Sequence, residues 1–157
     1  MKTKFGSLCF GIFALLIFGF ESPIRTSGQT LKLLTKFDLP GLGGKRFDYL
    51  TFDEDDHYLL SPHLAADQTY VIDLATNKVV ATIADTPGAE GVEYVPELKK
   101  FYTSNAHDNT IGVVDLKQMK VVKKLKTEAK PDGSTYAAPF HKLYFPMNEG
   151  RPKRSLM

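Results

Sequence analysis

Cysteine is almost absent from this chain, with one residue, Cys9, among 157. A single thiol excludes an internal disulfide framework and a Cys-rich zinc site. A large excess of positive charge is lacking too, because the formal net charge is +2 and residues 29–150 alone carry −3. This part of the chain therefore lacks the electrostatic footprint of a nucleic-acid-binding protein, and no nucleic-acid partner is predicted.

Charge is missing from residues 5–20, an apolar run that follows Lys2 and Lys4. A polar stretch then reaches Gly28, so residues 1–28 have the layout of a secretory signal peptide. The alternative is an uncleaved membrane anchor, which is less favoured because sixteen helical residues reach only about 24 Å of a ~30 Å hydrocarbon core. We predict export to the periplasm or beyond, with membrane contact only through this segment if it stays uncleaved.

A sustained helical pattern is missing after residue 28, where the sequence instead repeats with a period of about 42 residues. Two pairs of segments match: His57–Ile83 with Lys100–Leu125, and Gly91–Tyr102 with Gly133–Tyr144. Short runs rich in Val, Ile, Tyr and Thr alternate with turn residues, as expected of strands. The period is typical of propeller blades. We predict an all-β fold, a partial β-propeller of four-stranded antiparallel blades (about two full blades plus parts) over residues 29–147.

The strands of the two full blades are predicted at Phe47–Phe52, His57–Ser61, Thr69–Asp73 and Lys78–Ile83, then at Val92–Val95, Lys100–Ser104, Thr110–Asp115 and Lys120–Lys126. Leu31–Leu39 resembles the fourth strand of a blade, the kind of strand that completes the last blade of a closed propeller. Its partners are not found before the irregular basic tail, residues 148–157. Closed propellers take roughly four to eight blades, so we expect this chain to be part of a propeller.

The repeat resembles that of the YVTN family of β-propeller proteins, also called YncE-like. Tyr102-Thr103-Ser104-Asn105 stands near the Tyr-Val-Thr-Asn tetrapeptide of that family, and Asp108–Ile111 matches the loop that follows it. Tyr70–Asp73 and Asn77–Ile83 match the remainder of the repeat. The resemblance covers residues 31–146. It implies an exported or cell-surface protein that binds rather than catalyses, although a propeller fold by itself does not specify a function.

Four side chains are the candidate ligand-binding residues: His63, Asp67, His107 and Asp108. They lie in two loops between second and third strands, Ser61–Gln68 and Ser104–Asn109, which a propeller places on one face. Ser61 is matched to Ser104 at an offset of 43, with one residue gained or lost in the loop between the matched segments. A repeated set of histidines and carboxylates could bind a metal or an anionic ligand. The alternative is that these residues only form turns and solvated loops.

Other motifs are interpreted structurally. Pro40–Lys45 lacks the first Gly and the last Ser or Thr of a phosphate-binding loop, so a turn is predicted. Asp53–Asp56 lacks the Gly and Glu of a calcium-binding EF-hand loop, so a solvated turn is predicted. Lysines in the last predicted strand are assigned to edge protection: Lys120, Lys123, Lys124 and Lys126. Four tyrosines are assigned to packing: Tyr49, Tyr94, Tyr136 and Tyr144.

The predicted function is an exported, non-enzymatic module that binds an unidentified small molecule or protein, with no cofactor and no catalytic residue assigned. The alternative is a fragment of a metal-dependent propeller hydrolase similar to the lactonases, which would require metal-binding Glu, Asn and Asp residues along the central channel.

Overall fold

The computed structural model describes residues 31–40 and 46–148. The chain forms two compact units, Met1–Thr35 and Lys36–Met157. Within the first unit, residues 31–35 have no regular secondary structure. The predicted signal peptide and residues 149–157 of the predicted tail lie outside the described residues. In the part of the chain that is described, no helix is long and apolar enough to cross a membrane.

The first sheet of the second unit, here called blade 1, has four antiparallel strands in chain order. They are β1 (Thr51–Asp53), β2 (Tyr58–His63), β3 (Gln68–Asp73) and β4 (Lys78–Ile83). The Asp73 carboxylate closes the turn into β4 by accepting the backbone N–H groups of Ala75 at 2.7 Å and Thr76 at 3.1 Å. Asp commonly takes this role at the start of a turn, because its short side chain can reach the backbone two residues further on.

Blade 2 repeats the same arrangement with β5 (Ala89–Val95), β6 (Lys100–Asn105), β7 (Thr110–Asp115) and β8 (Lys120–Lys126). Non-glycine residues in the left-handed conformation recur at a spacing of 42 along the chain: His57, Lys99 and His141; Asp67 and Asn109; Asn77 and Met119. The pairing of the third strand with the fourth also shifts register at equivalent places in the two blades. The backbone therefore confirms the predicted repeat.

Four short strands follow blade 2: β9 (Lys130–Pro131), β10 (Thr135–Ala137), β11 (Lys142–Tyr144) and β12 (Met147–Asn148). β10 pairs with β11 as the first two strands of a blade would, and β9 pairs with β12. Asn148 thus takes part in strand pairing, one residue beyond the predicted boundary. Three 3-10 turns join strands: η1 (Leu64–Ala66), η2 (Pro96–Leu98) and η3 (Ala138–Phe140). Two full blades plus parts are confirmed.

The hydrophobic core lies between the two full blades. Blade 1 contributes Leu60, Val71 and Ile83, and blade 2 contributes Val92, Tyr94, Phe101, Val114 and Leu116. Phe101 and Val71 are completely buried. Successive side chains of a strand point to opposite faces of its sheet, so every second side chain faces the neighbouring blade and the two sheets pack face to face. The apolar area buried between them makes the main contribution to the stability of the fold.

The structure corrects the predicted strand at Leu31–Leu39, because residues 31–39 have no regular secondary structure. A fourth strand obtains its backbone hydrogen bonds from a third strand, and none of the described strands pairs with this segment. The contacts made at its end are different: the Tyr70 hydroxyl donates a hydrogen bond to the Pro40 carbonyl, and Gln68 Nε2 donates to the same oxygen at 3.4 Å.

Three smaller predictions are also corrected. The first strand begins at Thr51 rather than Phe47, and Phe47 forms only an isolated bridge with His63. Asp53 is completely buried rather than solvated, since its Oδ1 accepts backbone N–H groups of the turn that follows. Of the tyrosines assigned to packing, Tyr49 and Tyr144 are more than half exposed.

Candidate functional site

Two predicted site residues meet where neighbouring blades contact each other. Asp67 follows η1 in blade 1, and His107 lies between β6 and β7 of blade 2. Asp67 Oδ1 lies 2.9 Å from His107 Nδ1 and accepts the backbone N–H of Gly88 at 2.7 Å. Gly88 belongs to the connection from β4 to β5. We call Asp67, Gly88 and His107 the inter-blade latch, because one carboxylate joins both loops to the connecting segment.

Gly88 is required by the backbone at the inter-blade latch. Its φ is +60°, and a Cβ atom there would lie 2.5 Å from the His107 ring. The connecting segment also binds the loop of blade 2, because the Ala106 N–H donates to the Gly88 carbonyl at 3.1 Å and the His107 N–H donates to the Pro87 carbonyl at 3.2 Å. Only glycine combines the left-handed conformation with this close approach.

Asp108 ends a chain of side-chain hydrogen bonds inside blade 2. Thr103 Oγ1 donates to Asn105 Oδ1 at 2.8 Å, and Asn105 Nδ2 donates to Thr110 Oγ1 at 3.0 Å. Thr110 Oγ1 donates to Asp108 Oδ1 at 2.6 Å. Thr103 and Asn105 are completely buried. Thr103 and Asn105 of the Tyr-Thr-Ser-Asn tetrapeptide therefore bond to each other, whereas Ser104 Oγ donates to the Gly133 carbonyl at 3.2 Å. These buried polar groups thus have the partners that burial requires.

The second oxygen of Asp108 forms an ion pair. Lys124 Nζ lies 2.9 Å from Asp108 Oδ2 and also contacts Asp85. Burial favours a higher pKa for Asp108, but the hydrogen bonds from Thr110 and Lys124 outweigh it and hold the pKa below its usual value. The pKa of Lys124 is raised: burial opposes the shift, and the two carboxylates outweigh it. Asp108 is thus a weak base within an ion pair.

His63 lies inside the sheet rather than in a solvated loop. It is the last residue of β2 and is only 3% exposed. Its ring stacks on Phe47 with centroids 4.1 Å apart, and Nδ1 lies 3.3 Å from the Tyr70 hydroxyl. Strand pairing aligns His63 with Gln68, as it aligns Asn105 with Thr110 in blade 2. The structural offset here is therefore 42, which corrects the predicted match of Ser61 to Ser104.

The four predicted residues are thus divided among three environments. Asp67 and His107 contact each other, Asp108 joins the polar chain of blade 2, and His63 packs among aromatic rings. Among residues 31–40 and 46–148, no group of three or more His, Cys, Asp or Glu side chains is placed to hold a metal ion.

A second set of charged residues was missed by the sequence analysis. Asp48, Glu90 and Asp132 are spaced 42 residues apart. They lie just before or at the start of β1, β5 and β10, the first strand of each blade or part of a blade, which we call the inner strands. Glu90 is buried, and its Oε1 lies 2.9 Å from Lys130 Nζ. Burial raises the pKa of Asp48; Arg46 opposes the shift, and the carboxylates of Glu90 and Asp132 add to it. Aligning the chain at the repeat period would have revealed this row.

The sequence matches no protein-family model and no curated protein. Several solved structures share its fold. A chain of Kuenenia stuttgartiensis hydrazine synthase superposes with a TM-score of 0.60 and 24% identity, over 76% of this chain and 33% of that chain. The fold is a partial β-propeller. A propeller domain of Cps50 (Swd1) from Myceliophteria thermophila gives a TM-score of 0.55 and 14% identity, over 66% of this chain and 33% of that one.

The WD40 propeller domain of Doa1 gives a TM-score of 0.56 and 12% identity, over 67% of this chain and 34% of that chain. The propeller described here thus spans about a third of the length of each of these chains. At these identities the likeness is one of fold, and function must be argued from the side chains.

Proposed function

We propose that this protein is an exported, non-enzymatic propeller module that binds a small ligand or a protein. The binding surface would be the loop end, formed by Ser61–Gln68 and Ser104–Asn109. The observation that carries the proposal is the 2.9 Å contact between Asp67 and His107. It holds corresponding loops of neighbouring blades together, so that their exposed atoms form one surface. A preorganised surface loses less conformational entropy when it binds.

The pairing of polar side chains at this end favours binding over catalysis. Asp67 is paired with His107, and Asp108 shares Lys124 with Asp85. A general base works best with a pKa near the operating pH, whereas the pKa of Asp108 is held below its usual value by hydrogen bonds that outweigh its burial. Paired groups of this kind supply a polar, shaped surface instead of a reactive one.

We also propose that the repeat is of the YVTN type. Support comes from the hydrogen bonds that link Thr103, Asn105 and Thr110, since they give the polar residues of the tetrapeptide and of the following loop a shared structural role. Gly112 fits this reading, because a Cβ there would lie 2.4 Å from Thr103 Oγ1. The repeat thus specifies how a blade is built rather than what it binds.

The binding proposal is tested on the protein recovered from the periplasm of an expressing bacterium. Zinc ions and inorganic phosphate are titrated separately, and the Tm is measured for the unsubstituted protein, for His107→Ala and for His141→Ala as the matched control. His141 lies at the opposite end, after η3, with an exposed side chain. We expect one probe to raise the Tm of the first protein and the control, and not that of His107→Ala. If neither zinc nor phosphate changes the Tm of any of the three proteins, the loop end is not a binding site for a metal or an anionic ligand.

The non-enzymatic role is tested separately with lactones and added calcium. No turnover above the uncatalysed rate is expected. Saturable hydrolysis that a chelator abolishes would replace the binding proposal with the lactonase-like alternative.

Export has its own measurement. Mass spectrometry of the periplasmic protein should show the loss of residues 1–28. A protein that keeps its full mass and stays in the cytoplasmic fraction would contradict export.

A further inference from the structure

A cavity of about 350 Å³ opens at the end of the propeller opposite the loop end. It lies beside the turns that follow the inner strands β1, β5 and β10, whereas the loop end lies beyond the second strands. Its volume falls within the range of ~300–1,000 Å³ that is usual for small-molecule sites. The residues of the inter-blade latch do not line it. This cavity is therefore a separate candidate site.

Three aromatic side chains line the cavity, one from each blade or part of a blade. Phe52, Tyr94 and Tyr136 are spaced 42 residues apart and occupy the same position of their inner strands. Phe52 is 57% exposed and Tyr94 only 6%, so the rings range from an open rim to a buried wall. The propeller repeat thus gathers aromatic rings, whose faces carry partial negative charge, around one space.

The charged side chains in the lining of the cavity are carboxylates. Glu54, Asp55, Glu93 and Glu97 all face the cavity, and among residues 31–40 and 46–148 no Lys or Arg is part of its lining. Glu97 Oε1 accepts a hydrogen bond from the Tyr136 hydroxyl at 3.2 Å. Glu93 is desolvated, and this burial raises its pKa. A cation placed near Glu93 would offset that desolvation, because an opposite charge stabilises the ionised form.

A buried carboxyl group lies next to the three aromatic residues Phe52, Tyr94 and Tyr136, here called the aromatic wall. Asp53 lies in sequence between the lining residues Phe52 and Glu54, and it is completely buried. Its Oδ2 has no hydrogen-bond partner of normal geometry among the described residues. Its carboxyl group acts on the Tyr94 phenol, whose pKa is raised first by burial and then by Asp53. The Asp53 carboxyl group thus adds a buried hydrogen-bond acceptor beside the Tyr94 ring.

The protein already holds one ammonium group at the edge of this site. Lys99 Nζ lies 2.7 Å from Asp55 Oδ2, and the Tyr94 hydroxyl donates to the same oxygen at 3.2 Å. Lys99 therefore compensates Asp55 and leaves Glu54 and Glu93 without a basic side chain in the lining. Glu97 and the Tyr136 hydroxyl form a second combination of carboxylate and phenol in the lining, which can receive a bound cation together with Glu93.

We propose that this cavity binds a small organic cation carrying an alkylammonium or quaternary ammonium group. Aromatic faces and carboxylates together recognise such cations, because the apolar substituents pack on the rings while the charge interacts with the ring faces and the acids. An anionic ligand would meet only negative charge in the lining. A bare metal ion is disfavoured, since the described residues provide no group of three ligands for it.

Choline is the probe, and its neutral isostere 3,3-dimethyl-1-butanol is the control ligand. The chain contains no Trp and seven Tyr, so tyrosine fluorescence and tyrosine ring NMR signals report directly on the wall. A ligand of this size should bind in the millimolar range. The isostere should bind at least about 10-fold more weakly, because it lacks the charge that cation–π attraction needs.

Two substitutions test the wall and the charge separately. Tyr136→Leu should weaken choline binding by about 3- to 30-fold, whereas Tyr136→Phe, which keeps the ring, should stay within about 2-fold. Glu93→Gln should weaken binding by about 3-fold or more, since it removes a desolvated charge without changing size. Tyr144→Leu is the matched control, since Tyr144 is exposed and outside the lining.

Circular dichroism establishes whether each variant is folded. If Tyr136→Leu does not fold, the effect of Glu93→Gln on choline binding tests the proposal by itself. Equal binding of choline and its isostere would overturn the proposal. It would also be overturned if Tyr136→Leu and Glu93→Gln both left choline binding unchanged, or if choline caused no saturable shift at tens of millimolar.

Discussion

Replacing Gly88 by Ala tests whether the inter-blade latch holds the two full blades together. The new Cβ would lie 2.5 Å from two carbons of the His107 ring and 2.9 Å from the His107 backbone nitrogen. The φ of +60° adds a backbone cost of roughly 1–2 kcal/mol for a residue with a Cβ. Forcing extra volume into a packed contact costs about 1–3 kcal/mol more. The expected loss in the free energy of unfolding is therefore about 2–5 kcal/mol.

Gly133→Ala is the matched control. A Cβ at Gly133 would meet only the Tyr49 ring, at 3.6 Å and 3.9 Å, which is ordinary van der Waals contact, and no left-handed φ is required there. Such a substitution reduces the conformational entropy of the unfolded chain and should change stability by no more than about 1 kcal/mol, in the favourable direction. The two substitutions make the same chemical change in opposite environments.

Urea unfolding followed by circular dichroism and tyrosine fluorescence measures both variants. Gly88→Ala should unfold at a clearly lower urea concentration, with a slope that shows whether unfolding is still cooperative. Adding His107→Ala should recover part of the loss, because it removes the ring but not the clash with the backbone nitrogen. A Gly88→Ala variant within about 0.5 kcal/mol of the unsubstituted protein would refute the reasoning, since neither the clash nor the backbone strain would then exist.

Three further predictions concern the core, the acid response and the outer edge. Phe101→Ala should cost about 3–5 kcal/mol, measured by urea unfolding, because Phe101 is completely buried between the blades; a loss below 1 kcal/mol, on the order of a surface change, would contradict this packing. The pKa of Asp108 is lowered in the folded state because hydrogen bonds outweigh burial. Its stabilising contribution is therefore present above the unfolded pKa of about 4 and is lost as pH falls through the folded pKa. Asp108→Asn should lower the free energy of unfolding at pH 7 and should make that free energy fall less steeply as the pH is lowered. An unchanged dependence of the free energy of unfolding on pH would exclude this role. Lys123→Val together with Lys126→Val on the outer strand β8 should increase aggregation measured by light scattering, whereas Arg at both positions should not, and equal solubility of the two double variants would count against edge protection.

The strand pattern was predictable because it depends on local chemistry. β4, β7 and β8 have the predicted bounds, and β3 begins one residue earlier than predicted. These strands are short runs that contain Val, Ile or Tyr, and they are bounded by turns that Asp73 and Asp115 close through their side chains. Strand pairing then follows from hairpin connections between neighbouring segments, without help from distant parts of the chain.

The environments of individual side chains were less predictable because they depend on contacts that the repeat pattern does not specify. His63 looks like a loop residue in the sequence, yet it ends β2 and stacks on Phe47, a residue that precedes the first strand of the same blade. Asp53 starts an acidic run typical of solvated turns, yet its side chain turns inward to bind the turn backbone. Leu31–Leu39 has a strand-like pattern, but a pattern becomes a strand only where a partner supplies hydrogen bonds.

The repeat period explains which groups of neighbouring side chains can be identified by aligning the repeats. Equivalent positions at the inner strands of successive blades lie near one another, so the acidic row headed by Asp48 and the aromatic row headed by Phe52 follow from alignment at 42 residues. Contacts between neighbouring blades join different positions, however: Asp67 contacts His107, which is 40 residues away. The equivalent of Asp67 is Asn109, which shares its left-handed backbone but not this contact. Repeat alignment therefore reveals sites that equivalent residues build together, while contacts between non-equivalent residues of neighbouring blades require the three-dimensional structure.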